Sequence, residues 1–324
     1  MVPSDLAMWP CAALPNAELG SRTTLRIGGS TEWLLEPADP EEFVAAWNAA
    51  RERGFLPRVL GHGANVLVDD GLHAGVVIAT ERINRVFRPS PEATGEAGSF
   101  DPEPSGAVAL DRESDPRLVA WAGAPLPTLV RTANRLGWTG LEGLAGVPGH
   151  LGGGVAMNAG GRWGAMWDVV ERVRLLLPDG TTVEREREQC SPGYREGGLA
   201  GAICLGAVLA LTVEHPTIVT ERAKQFLREK NAVQPVTERS SGCVFKNPDP
   251  ELSDGRSAGR LIDDAGGKGL RRGDAVVSEK HANFFVNRGS ARAQDVWSLI
   301  VEIQRLVLEA TGVELETEVQ IWRR

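Results

Sequence analysis

The chain has little that would make a metal site, a disulfide scaffold or a membrane span. Its 324 residues include four cysteines, Cys11, Cys190, Cys204 and Cys243, far apart and with no CxxC pair. A thiolate zinc site needs close pairs, and disulfide frameworks belong to smaller chains. The five histidines form no HExxH motif, so no metal is expected. No apolar run reaches the ~18 residues that a membrane helix needs. No basic residue precedes Arg22, and the charged start and apolar run of a signal peptide are missing. Positive charge is also short: a net charge of −8 and a pI near 5.3 argue against a nucleic-acid or anionic-membrane partner. Tyr194 is the single tyrosine. What is left is a cytoplasmic globular protein with room for two or three domains.

Glycine is what the chain has in excess, with 38 residues against an average usage of roughly 7%. The glycines stand in short blocks between strand-like segments, where they allow tight turns or close approach of a ligand. Thr31 to Pro37 reads as a strand. Asp39-Pro40-Glu41-Glu42 then opens a helix with a capping Asp, Pro at the first turn and acids at the N-terminus. Further strands are expected at 56–60, 75–79, 170–177, 181–187, 202–213 and 319–322, and helices at 127–136 and 218–230. Residues 89–106 carry Glu92, Glu96, Asp101 and Glu103 without a basic residue, which suggests a mobile surface insertion. The last helix has Val296, Leu299, Ile300, Ile303, Leu306 and Val307 at helical spacing, with Ser290 as candidate cap and Gly312 as stop.

Three stretches could carry chemistry. Ser240-Ser241-Gly242-Cys243-Val244-Phe245-Lys246-Asn247-Pro248 sets a thiol beside an ammonium and an amide, although a lone cysteine is commonly a small buried hydrophobe. Gly61-His62-Gly63-Ala64-Asn65 follows a strand and could cradle a phosphate, or be an ordinary tight turn. It is no Rossmann fingerprint, since the third glycine and the following helix are missing. Leu144 through Gly161 holds seven glycines and no Walker lysine. It could be a glycine-rich helix packed on a sheet, or a bare surface for a flat cofactor or a pyrophosphate.

Eight blocks, in order, resemble the UDP-N-acetylenolpyruvoylglucosamine reductase (MurB) family. They are Thr23 to Gly29, Leu60 to Val68, Gly140 to Gly160, Gly193-Tyr194-Arg195, Gly242 to Pro248, Ala258 to Ile262, Val277 to Phe284 and Glu316 to Val319. The resemblance spans Asn16 to Trp322 and is closest to the shorter class without a tyrosine loop. It implies an α+β chain: a two-subdomain FAD-binding fold of the PCMH/vanillyl-alcohol-oxidase type, plus a C-terminal α/β substrate-binding domain. The implied segments are 1–82 and 83–215 for the flavin, 216–313 for the substrate, and 314–324 as a strand returning to the second subdomain.

The resemblance further implies reduction of UDP-N-acetylglucosamine enolpyruvate, with FAD as cofactor and NADPH as co-substrate, in a monomer. Arg195, Cys243 and Glu318 fall at the catalytic positions, with Cys243 as proton donor where serine is usual. Flavin contacts are implied at Arg26, Gly61, Gly63, Ala64, Asn65 and Val66, and again at Pro148, Gly149, Gly152, Gly153, Asn158, Ala159 and Gly160. Substrate contacts are implied at Tyr194, Arg228, Lys246 and Asn247. His62, Ala64 and Arg162-Trp163 depart from the family pattern. A FAD-dependent oxidase or dehydrogenase of another sugar or alcohol, on the same fold, is the alternative.

Overall fold

The computed structural model describes residues 8–89, 100 and 115–324. Most of the expected insertion at 89–106 lies outside the described residues. The chain groups into two compact units. The first is Met1–Ala13, Leu35–Gly61 and Val77–Arg228; the second is Leu14–Leu34, His62–Val76 and Glu229–Arg324.

The first unit is built on a five-stranded antiparallel sheet. Its order is Thr182–Glu186, Val170–Leu176, Ile203–Ala210, Arg117–Trp121, Val86–Phe87. The expected long strand at 202–213 is broken: Thr212–Val213 pairs instead with Trp138–Thr139. Helix Leu126–Leu136 buries Leu126, Leu129, Val130, Ala133 and Leu136 on one side and stops at left-handed Gly137. Burying each such side chain contributes at most about 1.5–3 kcal/mol. Trp138 and Trp167 fill the centre of this core. Helix Pro40–Glu52 starts as its sequence predicts, with Asp39 accepting from Glu42 N at 2.8 Å. One described residue of the expected insertion corrects the surface reading at its position. Phe100 is buried, its carbonyl accepts from Trp121 Nε1, and the Arg172 and Arg174 guanidinia lie 5.1 and 4.8 Å from its ring. An aromatic ring in an otherwise small and acidic segment finds its hydrophobic and cation–π partners on the sheet.

The second unit has a four-stranded antiparallel sheet, Ser240–Cys243, Phe284–Asn287, Ala275–Val277, Arg271–Arg272. Helix Ala293–Thr311 buries Val296, Leu299, Ile300, Ile303 and Val307 and ends at Gly312. Ser290 is not its cap. The helix begins three residues later, where Asp295 accepts from Arg292 N and Asp70 accepts from Ala293 N, so two carboxylates satisfy the first-turn donors. The final strand Gln320–Trp322 pairs parallel with Val66–Val68. That corrects the expectation that it returns to the 83–215 segment. The Val66–Val68 run is wholly buried and needs a ladder partner for its peptide groups, which the end of the chain supplies.

Candidate active site

In the first unit, helix Leu151–Ala156 and the loop after it form one group. The glycines there serve two ends. A Cβ at Gly152 would stand 3.0 Å from Ala122 Cβ, and one at Gly154 would stand 3.3 Å from Leu126 Cδ2. A Cβ at Gly160 would collide with Gly164 O and Ala165 Cα. These three are small because the chain packs on itself. A Cβ at Gly153 would meet nothing within 4 Å, and one at Gly61 would come no closer than 3.9 Å to His150 and Thr80. The backbone at those two positions stays open to a bound group, so this part of the chain fits the flat, phosphorylated FAD that the resemblance implies. His150, buried and flanking Gly61, is a neighbour the sequence reading missed. Its one signal was a ring inside Pro-Gly-His-Leu-Gly. Pro148 is exposed, Gly149 O accepts from Leu126 N, and Ala159 bonds Gly154 and Met166 through its backbone.

Asn158 has φ 42° and commits both ends of its amide to the chain. Nδ2 donates to Gly193 O at 2.9 Å, and Oδ1 accepts from Trp167 N at 3.1 Å. The first bond holds the turn carrying Tyr194 and Arg195, closed by Gly193 N donating to Glu196 O at 2.8 Å. Arg195, half-buried, has φ 60°, a left-handed conformation that a non-glycine residue seldom adopts. Its Nη1 donates to Gly160 O at 3.0 Å, and its guanidinium lies 5.2 Å from the ring of Tyr194, which is 57% exposed. Arg228 is exposed on helix Pro216–Val233. The departing pair Arg162-Trp163 is a packing element: the Trp163 ring stacks on Phe226 at 5.4 Å, and the Arg162 guanidinium lies 4.3 Å from the Trp163 ring centre.

In the second unit a different group assembles around Cys243. Ser240 pairs with Val286 and Cys243 with Phe284, so the strand carries one residue more than its partner. This is a β-bulge, and Gly242 takes φ 76° within it. Cys243 thereby occupies the ladder position that a regular strand would give to Gly242. Glu318 N donates to Val244 O at 2.8 Å, Phe245 bridges Thr317, and Lys246 N donates to Glu316 O. Two distant segments thus run side by side, with half-buried Cys243 on one and half-buried Glu318 on the other. Asn65 anchors the second of these segments: Nδ2 donates to Glu318 O at 3.1 Å, and its backbone carbonyl accepts from Gln320 N.

Several expected contacts in this unit are tied up locally. Lys246 Nζ sits 2.6 Å from Glu316 Oε1. Asn247 Oδ1 accepts from Ala258 N at the start of helix Ala258–Asp264. Val66 is buried and paired with Gln320. A Cβ at Gly63 would collide with Arg22 O, so that glycine is needed for close packing. Ala64 is half-buried beside it, and exposed Arg26, at φ 55°, donates to Ser21 O. Burial holds the Lys230 ammonium down at about 8. Burial, then the charge of Lys268, lowers His281.

Two domain families match. The FAD binding domain model matches residues 105–185, and the UDP-N-acetylenolpyruvoylglucosamine reductase C-terminal domain model matches 234–322. The UDP-N-acetylenolpyruvoylglucosamine reductase of Moorella thermoacetica is 35% identical over 95% of this chain and 93% of its own length. That of Synechococcus elongatus is 36% identical over 94% and 92%. The crystal structure of the Thermus caldophilus reductase superposes with a TM-score of 0.73 at 35% identity, covering 96% of this chain and 98% of that one. Among the described residues, no helix is long and apolar enough to cross a membrane.

Proposed function

Because the chain belongs to the UDP-N-acetylenolpyruvoylglucosamine reductase family, we propose that it reduces UDP-N-acetylglucosamine enolpyruvate to UDP-N-acetylmuramate for peptidoglycan synthesis. NADPH is the electron source, and the enzyme works as a cytoplasmic monomer. The chemistry that FAD supplies when bound is hydride transfer, from NADPH and then to the terminal alkene carbon of the substrate. Residues 83–215 complete the flavin-binding part begun in 1–82, and 216–313 bind substrate. Gly61 and Gly153 would let the cofactor approach their backbone, and the rest of the 148–160 stretch would help to hold it.

Hydride addition leaves the enolpyruvyl group as an enolate, with negative charge on the carboxylate oxygens. Arg195 binds that carboxylate through its two-pronged guanidinium, and the bond to Gly160 O keeps the fork aimed. Cys243 gives its Sγ proton to the carbon beside the carboxylate and recovers one from solvent afterwards. Glu318 polarises the same end of the substrate. Tyr194, Arg228, Lys246 and Asn247 contact the sugar nucleotide. The observation that carries the paired roles of Cys243 and Glu318 is the hydrogen bond from Glu318 N to Val244 O, which sets an acid-bearing segment beside the thiol-bearing one.

The test is NADPH consumption with and without the enolpyruvyl sugar nucleotide. Turnover is expected only with the sugar, while anaerobic flavin reduction needs NADPH alone. Steady NADPH oxidation that ignores the sugar nucleotide would overturn the proposal in favour of another oxidoreductase.

A further inference from the structure

We propose that Asn283 is a positioning residue that fixes Cys243 and Glu318 relative to each other; the inference rests on the roles just given to those two. Asn283 is 2% exposed, a polar side chain between buried Ala282 and buried Phe284. Its Oδ1 accepts from Phe245 N at 2.9 Å, and its Nδ2 donates to Phe245 O at 2.8 Å. Its own carbonyl accepts from Val244 N at 2.9 Å. The regular ladder between the two strands ends at the Cys243–Phe284 pair. Beyond it, the Asn283 amide serves as a strand edge would, satisfying both peptide groups of Phe245.

The opposite edge of the same residues carries Glu318. Val244 O accepts from Glu318 N at 2.8 Å, and Phe245 bridges Thr317. Val244 and Phe245 are therefore gripped from two sides, by Asn283 on one and by 316–318 on the other. Cys243 is the residue immediately before the grip, and the bulge at Gly242 is immediately before Cys243. A bulge alone leaves a strand end free to twist. A two-point clamp just after it removes that freedom, so the thiol is set from both sides.

An amide is the side chain that does this. It offers one donor and one acceptor in a plane, matching the acceptor and donor of Phe245. An ionised aspartate has no donor for Phe245 O, and an aliphatic residue would leave two buried peptide groups unsatisfied. A proton transfer to carbon depends on placement, and a misplacement of 1 Å can cost about 100-fold.

The experiment compares the holoenzyme with Asn283→Ala, Asn283→Asp, Cys243→Ala and the Cys243→Ala/Asn283→Ala double variant. Flavin content, flavin reduction by NADPH, sugar-dependent reoxidation and the alkylation rate of Cys243 are read separately. Asn283→Ala is expected to keep flavin reduction, lose about 100-fold in reoxidation with KM little changed, and alkylate faster at Cys243. Asn283→Asp is expected to behave likewise at neutral pH and to recover as pH falls, because a protonated carboxyl regains the donor. In the Cys243→Ala background the alanine at 283 should cost little more, since it acts through that thiol. Parent-like reoxidation in Asn283→Ala overturns the inference. So does an equal loss in both half-reactions, or a full further loss in the double variant. If Asn283→Ala does not fold, the Asn283→Asp variant carries the same comparison across its pH range. If Cys243→Ala itself forms product at the parent rate, the role of Cys243 has failed, a result distinct from failure of the clamp alone.

Discussion

The two groups of candidate site residues are held by opposite means. Arg195 stands on a turn with left-handed backbone, tied down by side-chain bonds to single carbonyls, Asn158 to Gly193 O and Arg195 to Gly160 O. Cys243 stands at the end of a β-ladder, with buried Val244 and Phe245 following it and paired on both edges. The difference matches the reach of the side chains. A thiol is one bond from Cβ, so its backbone and a single torsion aim it. A guanidinium sits on a long stem, and one carbonyl near its tip can aim it. Arg195 carries a local cost of about 1–3 kcal/mol for its φ, which the surrounding bonds offset.

The largest effects should come from removing the reacting groups themselves. Cys243→Ala is expected to lower product formation by about 100- to 10,000-fold while NADPH still reduces the flavin. Cys243→Ser should keep much of the activity. It should also hold that activity to higher pH, since a thiol ionises far more readily than an alcohol and a thiolate cannot donate. Matching alkaline limbs for parent and serine variant would count against the thiol as donor. Arg195→Ala is expected to cost about 100- to 1,000-fold, the usual loss for one charge-stabilising donor. Unlike the cysteine variant, it should also weaken substrate binding, because it removes the carboxylate anchor. A loss in kcat with KM untouched would reject that anchoring role.

Asn158→Asp tests the looser of the two arrangements. It keeps the acceptor for Trp167 N and loses the donor to Gly193 O. One hydrogen bond of about 1 kcal/mol is at stake, so kcat/KM should fall by about tenfold or less, with a nearly unchanged melting midpoint. A parent-like kcat/KM would mean that the Arg195 turn holds without Asn158.

What the sequence made legible was local. The cap at Asp39, the buried stripe from Val296 to Val307 and the hairpin between 170 and 187 follow from spacing and end signals that lie within one element. Motif order pointed to Arg195, Cys243 and Glu318. What it hid was non-local. Gly152, Gly154 and Gly160 read as a bare ligand surface, yet each is small because a neighbouring chain segment presses against it. Asn158 read as a cofactor contact, and its amide is spent on Gly193 and Trp167. The partner of strand Gln320–Trp322 lies some 250 residues earlier, and no periodicity in either segment names the other.

Lys230 tests how dry the second unit is. Its pKa, held at about 8 by burial, lies below the ~10.4 of an unfolded lysine. Between those values the unfolded chain binds more protons than the folded one, so stability should rise as pH climbs through that window. At lower pH both states are charged and the burial cost is constant. Lys230→Met should flatten the rise in a urea titration repeated at several pH values. An unchanged slope would place the titrating group elsewhere.

The smallest effect on stability, and the sharpest on binding, is expected at Lys246. Its ion pair with Glu316 joins a side chain 32% exposed to one 73% exposed. Such a pair contributes at most about 1 kcal/mol, because water screens it and two flexible chains must be ordered. Lys246→Met should therefore melt within a few degrees of the parent. If the ammonium leaves Glu316 to meet the sugar nucleotide, the same variant should raise KM about tenfold, since a bond to a charged group contributes about 1.5–3 kcal/mol, with kcat near the parent value. Glu316→Gln then moves the other way: it removes the competitor for the ammonium, so KM should hold or fall. Equal KM values in all three proteins would leave Lys246 as a clasp across the Phe245–Thr317 bridge, and the second unit would present its substrate face without it.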